Sequence, residues 1–323
     1  MDEINIERGE ENYSRLRIAV IGAGPSGGIL AAHLAKNGED VILVDILKDR
    51  IDAIRRNGLT ISGFVELDTK IPHLCYSISE LAPYKPDVLF IAVKTSVLRK
   101  VIEEIQAIWH PSMKVISYQN GIDNELLLAE AFGSENVLRM VINYAGNVTG
   151  DATIKMTFFN KPNFIGIVSE RAKNFANRIA HLMTEAELDT EFTENLKWHT
   201  WKKTILNSSM SALCAITQMT MKETLDFPET RKLIAESLKE GIYVAKADGY
   251  DYGADFFDTC MAYLCKAGHH KPSMCADLEN RRLTEIDFLN KKIIEYGERY
   301  NIPTPYNLVL THLIKALEFQ LCE

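Results

Sequence analysis

A strand that runs directly into a glycine-rich turn constrains this chain more than any other feature. Ile18 to Ile21 is an apolar run, and Gly22-Ala-Gly24-Pro25-Ser26-Gly27 follows without a spacer. A helical pattern comes next, and a second apolar run, Val41 to Val44, ends at Asp45. Gly-x-Gly-x-x-Gly alone is a weak signal. Set between a strand and a helix, with an acidic residue closing the second strand, it is the fingerprint of a dinucleotide-binding βαβ unit. Gly22 makes the tight turn, Gly24 lets a pyrophosphate approach the backbone, and Gly27 lets helix and strand pack closely. The helix opening at Pro25 and Ser26 offers free N–H groups and the positive end of its dipole to phosphate. Asp45 can accept from the ribose hydroxyls and repels a 2′-phosphate, which favours NAD over NADP. Lys48 and Arg50, just beyond, read as a solvated helix start.

The same wording, Gly-Ala-Gly-Pro-Ser-Gly, is met in FAD-binding proteins. Those carry a further Gly-Asp motif near the C-terminus, whereas the Gly-Asp pair here is Gly150-Asp151, too early and outside a strand–helix context. A nicotinamide dinucleotide is therefore the preferred cofactor.

Strand and helix signals alternate through the first half. Strands are predicted near 17–21, 41–45, 59–64, 88–93, 114–118 and 137–143, and helices near 26–37, 48–57, 96–108 and 123–131. That alternation predicts a Rossmann-type, doubly wound parallel sheet. Short strand-like runs over 140–167 predict an antiparallel extension of the same sheet. From 195 onward the pattern is helical, over 198–215, 229–248, 284–300 and 305–320. The expected organisation is a flexible extension over 1–15, a dinucleotide-binding domain over 16–194 and an all-helical substrate and dimerisation domain over 195–323. At 323 residues, two domains are the expected number.

Composition narrows the partners. The net charge is −8 and no long basic run is present, which argues against nucleic acid and anionic membrane surfaces. The apolar stretch 18–35 is broken by glycines, Pro25, Ser26 and His33, so it reads as strand–turn–helix rather than a membrane span. The six cysteines are scattered, with no Cys-x-x-Cys pair and no zinc-like spacing with histidine. No metal is predicted, and reduced thiols in a cytoplasmic protein are the expectation.

Three further clusters carry chemistry. Lys94 follows the predicted fourth strand in Ile91-Ala-Val-Lys94, and Asn120 follows the fifth in Tyr118-Gln-Asn120-Gly121. The carboxyl ends of such strands line the ligand crevice. Lys203, Asn207 and Ser211 are spaced i, i+4, i+8, so on a helix they share a face. The third string is Lys271-Pro-Ser273-Met-Cys-Ala-Asp277, continued by Thr284-Glu285-Ile-Asp287. Helix capping would account for its serine and threonine, not for the whole string.

Taken together and in order, over about residues 16–315, these motifs resemble the ketopantoate reductase (2-dehydropantoate 2-reductase) family. The last string is the most specific, with Thr-Glu-Ile-Asp eleven residues after the serine of Ser-Met. The resemblance implies a Rossmann domain, a helical C-terminal domain and an active site in the cleft between them. It implies that Lys203 is the catalytic lysine and that Glu285 contacts the cofactor and helps organise the site. Asn207 and Ser273 match substrate-binding residues, and Lys94 and Asn120 match residues near the cofactor and the reacting centre. Two departures stand out. Ser211 occupies a position where the family usually has asparagine. Ile46, after Asp45, occupies the position of the basic residue found in NADP-using members.

The expected activity is NAD(P)H-dependent reduction of a small anionic 2-keto acid to a 2-hydroxy acid, with ketopantoate as leading substrate. The alternatives are a dehydrogenase for another branched or aromatic 2-hydroxy acid on the same scaffold, and a dinucleotide-sensing protein without catalysis.

Overall fold

The computed structural model describes residues 15–321, so all but Arg15 of the predicted extension lies outside the described residues. The chain begins β1 (Arg17–Ile21), α1 (Pro25–Lys36), β2 (Asp40–Val44), α2 (Lys48–Asn57), β3 (Leu59–Gly63), β4 (Leu67–Thr69) and β5 (His73–Cys75). It continues β6 (Val88–Ile91), α3 (Leu98–Gln106), β7 (Lys114–Ser117), α4 (Asn124–Phe132) and β8 (Val137–Val141). Then come β9 (Tyr144–Gly150), β10 (Thr153–Phe159), β11 (Asn163–Ile167), α5 (Lys173–Glu185) and β12 (Thr190–Phe192).

Eight of these strands form one sheet in the order β12-β11-β8-β7-β6-β1-β2-β5. Every neighbouring pair is parallel except β8 with β11. The central strands are apolar at consecutive positions because helices cover both faces of a parallel sheet. All four residues of β6 are buried, as are four of five in β1 and in β2.

The predicted single sheet needs correcting. The strand expected at 59–64 and much of the 140–167 region do not extend the main sheet. They form a second, four-stranded sheet in the order β4-β3-β10-β9. The cause lies in α1, which is buried continuously from Gly27 to Leu34. A helix that is apolar all round cannot lie on one sheet with its other side in water, and the second sheet packs against it. The approach is close: a Cβ on Gly28 would stand 2.2 Å from the Ile154 side chain. The edge strands β5 and β12, three residues each, are too short to show a period in sequence.

The remainder is helical: α6 (Leu196–Thr217), α7 (Met221–Asp226), α8 (Pro228–Ala247), α9 (Phe256–Leu264), α10 (Ser273–Glu279), α11 (Asn290–Tyr300) and α12 (Pro305–Leu321). The long α6 forms the centre of this layer, with Trp201 fully buried and its indole N–H donating to Asp248 at 2.9 Å. The helix expected over 284–300 starts only at Asn290. Upstream, Thr284 donates through both its N–H and its hydroxyl to Glu318 at 2.7 Å, and its hydroxyl accepts from Ile286 N–H at 3.2 Å. Such side-chain bonds compete with the helical ladder, and a short 3₁₀ turn at Ile286–Phe288 results. Among the described residues, no helix is long and apolar enough to cross a membrane.

Candidate active site

The glycine turn packs tightly on one side and leaves its backbone open on the other. A Cβ on Gly27 would lie 2.0 Å from the Gly22 carbonyl oxygen, so only glycine allows α1 to dock here. Around Gly24 nothing lies within 4 Å of the corresponding position, which leaves room for a ligand to reach the backbone. The α1 N-terminus has no side-chain cap and no acidic residue in its first turn. Its free N–H groups and dipole therefore remain available to an anion. Asp45 receives Ala23 N–H at 2.7 Å and Leu47 N–H at 2.9 Å, and Arg50 donates to the Ala23 carbonyl at 3.0 Å. The carboxylate thus shapes the glycine turn while keeping lone pairs for ribose hydroxyls. These residues fit a dinucleotide: Gly22 to Gly27 would hold its pyrophosphate and Asp45 its ribose. When bound, a reduced nicotinamide supplies hydride.

A charged cluster bridges the sheet and the helical layer. Lys94 sits at the carboxyl end of β6, and its Nζ lies 2.7 Å from Asp277 on α10 and 3.6 Å from Glu285. Both carboxylates are almost fully buried. Burial alone would lower the Lys94 pKa, but Glu285 and Asp277 outweigh it and hold it above the usual lysine range. Burial pushes the Asp277 carboxyl upward, with Lys94 opposing. Glu285 also accepts from Thr95 N–H and from the Asn120 amide, each at 3.4 Å.

Lys203 lies beyond this cluster, on the inner face of α6. Its ammonium donates to the Ile142 carbonyl. Burial pushes its pKa down to about 7, the Arg139 guanidinium acts in the same direction, and Glu285 opposes. A small pocket brings Lys203 together with Asn120, Asn207, Thr200, Thr204 and Arg139. An amine that titrates near neutrality, flanked by two amides, can hold a carbonyl oxygen and pass it a proton.

Residues 18–170 match the ketopantoate reductase PanE/ApbA family, and residues 195–318 match its C-terminal domain. The chain belongs to the ketopantoate reductase family. Among members of this family, a 2-dehydropantoate 2-reductase of Streptococcus pyogenes serotype M3 is 29% identical over 303 residues, covering 93% of this chain and 97% of the relative. One from Pyrococcus abyssi is also 29% identical, covering 94% and 98%. Among solved structures, D-mandelate dehydrogenase with NADH and anilino(oxo)acetate superposes with a TM-score of 0.86 at 26% identity, covering 95% of this chain and 99% of that one. A 2-dehydropantoate 2-reductase from Geobacter metallireducens gives 0.86 at 27%, covering 93% and 99%. As a ketopantoate reductase family member, the chain is an oxidoreductase acting on a CH–OH group, with NAD(P) as cofactor.

The residues nominated from sequence are not all gathered at one point. Lys203, Asn207 and Asn120 line the pocket, and Lys94 and Glu285 form the cluster beside it. Ser211 is buried on α6 but does not line this pocket. Eight residues along a helix is about 12 Å. Ser273 is exposed at the start of α10 and also stands outside the lining. Neither Ser273 nor Asp277 caps a helix: Pro272 occupies the N-cap of α10, and Asp277 pairs with Lys94. Sequence reasoning missed Arg139 in the pocket wall and Glu125, which pairs with it at 2.5 Å. One signal was available: Arg139 is a lone charge in the apolar run Val137–Val141, and a cation on a fully buried strand needs a partner.

Proposed function

We propose that this family member reduces a 2-keto acid to a 2-hydroxy acid, with ketopantoate as the leading substrate. Lys203 is the general acid. The observation that carries this reading is the partly buried Lys203 side chain, which lines the interlayer pocket with Asn120 and Asn207 and has its pKa brought down to about 7. As hydride adds to the C2 carbonyl, charge grows on its oxygen, and the Lys203 ammonium stabilises that charge and donates the proton. Asn207 and Asn120 hold the oxygen in line. Ser211, one turn beyond Asn207 on α6, and Ser273, at the start of α10, are the further substrate-binding candidates.

NAD is the preferred cofactor. What supports this is the acidic Asp45 just beyond β2, which would repel a 2′-phosphate, followed by Ile46, which is 82% exposed and offers no cation. A second reading, dehydrogenation of an aromatic 2-hydroxy acid, is favoured by the likeness to NADH-bound D-mandelate dehydrogenase. Exposed Val309 and Leu313, one turn apart on α12, suit a homodimer of the helical layers.

The test is loss of nicotinamide absorbance with NADH and with NADPH, against ketopantoate and a panel of branched and aromatic 2-keto acids. Oxidation of NADH with ketopantoate supports the first reading, and oxidation with an aromatic keto acid alone supports the second. Tight nucleotide binding with no oxidation would leave a sensor. The Lys203→Ala variant should lose turnover by roughly 10²–10⁴-fold while still binding cofactor; retained turnover sinks the assigned role.

A further inference from the structure

Three consecutive carbonyls at the strand-end loop holding Asn120 are all taken by buried side chains. The Gln119 carbonyl accepts from Arg139 Nη2 at 3.3 Å, and the Gly121 carbonyl accepts from the same nitrogen. The Asn120 carbonyl between them accepts from the Asn124 amide at 2.7 Å and the Thr95 hydroxyl at 3.1 Å. One residue further on, Ile122 N–H donates to Phe288 of the helical layer at 3.3 Å. These bonds tie the loop backbone on both sides of Asn120. Its main grip is a guanidinium only 2% exposed, neutralised by Glu125 on α4, which is 5% exposed. Arg139 also forms part of the pocket wall beside Lys203.

We propose that the buried Arg139–Glu125 pair is a positioning device for the reaction. It fixes Asn120 against the reacting oxygen and places a fixed positive charge beside Lys203. This rests on the reading of Lys203 as general acid. The two tasks demand different properties of the same side chain. Gripping two carbonyls and a carboxylate at once needs the planar fork of arginine, which a lysine cannot reproduce. Repelling the Lys203 ammonium needs only the charge. The charged groups acting on that ammonium are Arg139 from β8 and Glu285 from the turn before α11, with opposite signs. Burial still holds the Lys203 pKa down without that cation, but one of the two effects that lower it is gone, so Lys203 keeps its proton to higher pH.

The experiment compares wild type, Arg139→Lys and the double variant Glu125→Leu/Arg139→Met. It uses the keto acid of the panel that turns over fastest, with kcat and KM measured from about pH 5 to 10. Reduction needs protonated Lys203, so wild-type kcat falls on the alkaline side. Arg139→Lys should lower kcat roughly ten- to a hundredfold with KM little changed, because Asn120 acts on the transition state, and leave the alkaline limb in place. The double variant leaves no buried charge unpaired. It should show the same loss of kcat and move the limb to higher pH. Melting curves and NADH titration report whether each variant is folded. Folded variants with wild-type kcat and an unmoved limb overturn the proposal. Retained turnover in Lys203→Ala overturns instead the lysine reading, and the Arg139→Lys result then still decides whether the pair positions the loop.

Discussion

Replacing Lys203 with methionine tests whether this chain keeps a buried amine at the expense of its own stability. The Lys203 pKa falls from 10.5 in the unfolded chain to about 7 in the folded one. At about 1.4 kcal/mol per unit, holding the charged form in the pocket costs about 5 kcal/mol below pH 7. Methionine carries no such penalty and fills a similar volume. It also leaves the Ile142 carbonyl without its donor, which costs about 1–3 kcal/mol. Below pH 7 the variant should therefore be the more stable by about 2–4 kcal/mol. Between pH 7 and 10.5 the unfolded wild type binds a proton that the folded wild type has released, so wild-type stability rises with pH relative to the variant. Near the top of that window the order should invert, leaving the variant less stable by the cost of the orphaned carbonyl. Urea unfolding of both proteins at about pH 6, 8 and 10 measures the difference directly, and other titrating groups cancel in the comparison. A difference that stays flat across that range, or a variant already less stable at pH 6, refutes the claim that burial depresses this amine.

Other perturbations separate the remaining parts of the site. Gly27→Ala puts a methyl 2.0 Å from the Gly22 carbonyl; it should cost about 1–3 kcal/mol by overpacking and weaken NADH binding, as read by melting and calorimetry. Gly24→Ala meets nothing within 4 Å, so its melting temperature should hold while NADH affinity falls; unchanged affinity would show that no phosphate lies against it. Lys94→Met leaves Asp277 and Glu285 buried without their cation and should destabilise by about 1–3 kcal/mol, Lys94 itself being partly exposed. That deficit should shrink as pH falls from 7 to about 4, because the Asp277 carboxyl, whose pKa burial raises, takes up a proton in the folded state first. A deficit independent of pH would show that the two acids do not depend on Lys94.

Local chemistry made the cofactor end of the molecule readable from residues alone. The turn at Gly22 to Gly27 is specified by its own neighbours, since strand, turn and helix dipole lie within one short stretch of chain. The same holds for Lys203 and Asn207, one helical turn apart and both on the pocket wall. Ser211 continues the same face one turn further on, buried and outside that pocket wall, because helix phase fixes a direction but not a depth in the packed molecule. The string after Ser273 named residues without saying which of them face inward. Exposed Ser273 and buried Asp277 differ because Asp277 meets Lys94, 183 positions earlier in the chain.

By itself, then, the sequence determined the alternating sheet, the glycine cradle, the acid at Asp45 and the change to helix beyond β12. Each follows from backbone sterics and short-range periodicity. Tertiary structure alone decided three other matters. It withdrew β3, β9 and β10 into a second sheet, because α1 is apolar on every side and needs two covers. It brought Glu125 to Arg139, turning a lone charge in an apolar strand into a clamp on the Asn120 loop. It also lowered the Lys203 pKa, a property that belongs to the closed packing around the amine rather than to the lysine, since desolvation is set by what folding places on every side of a group.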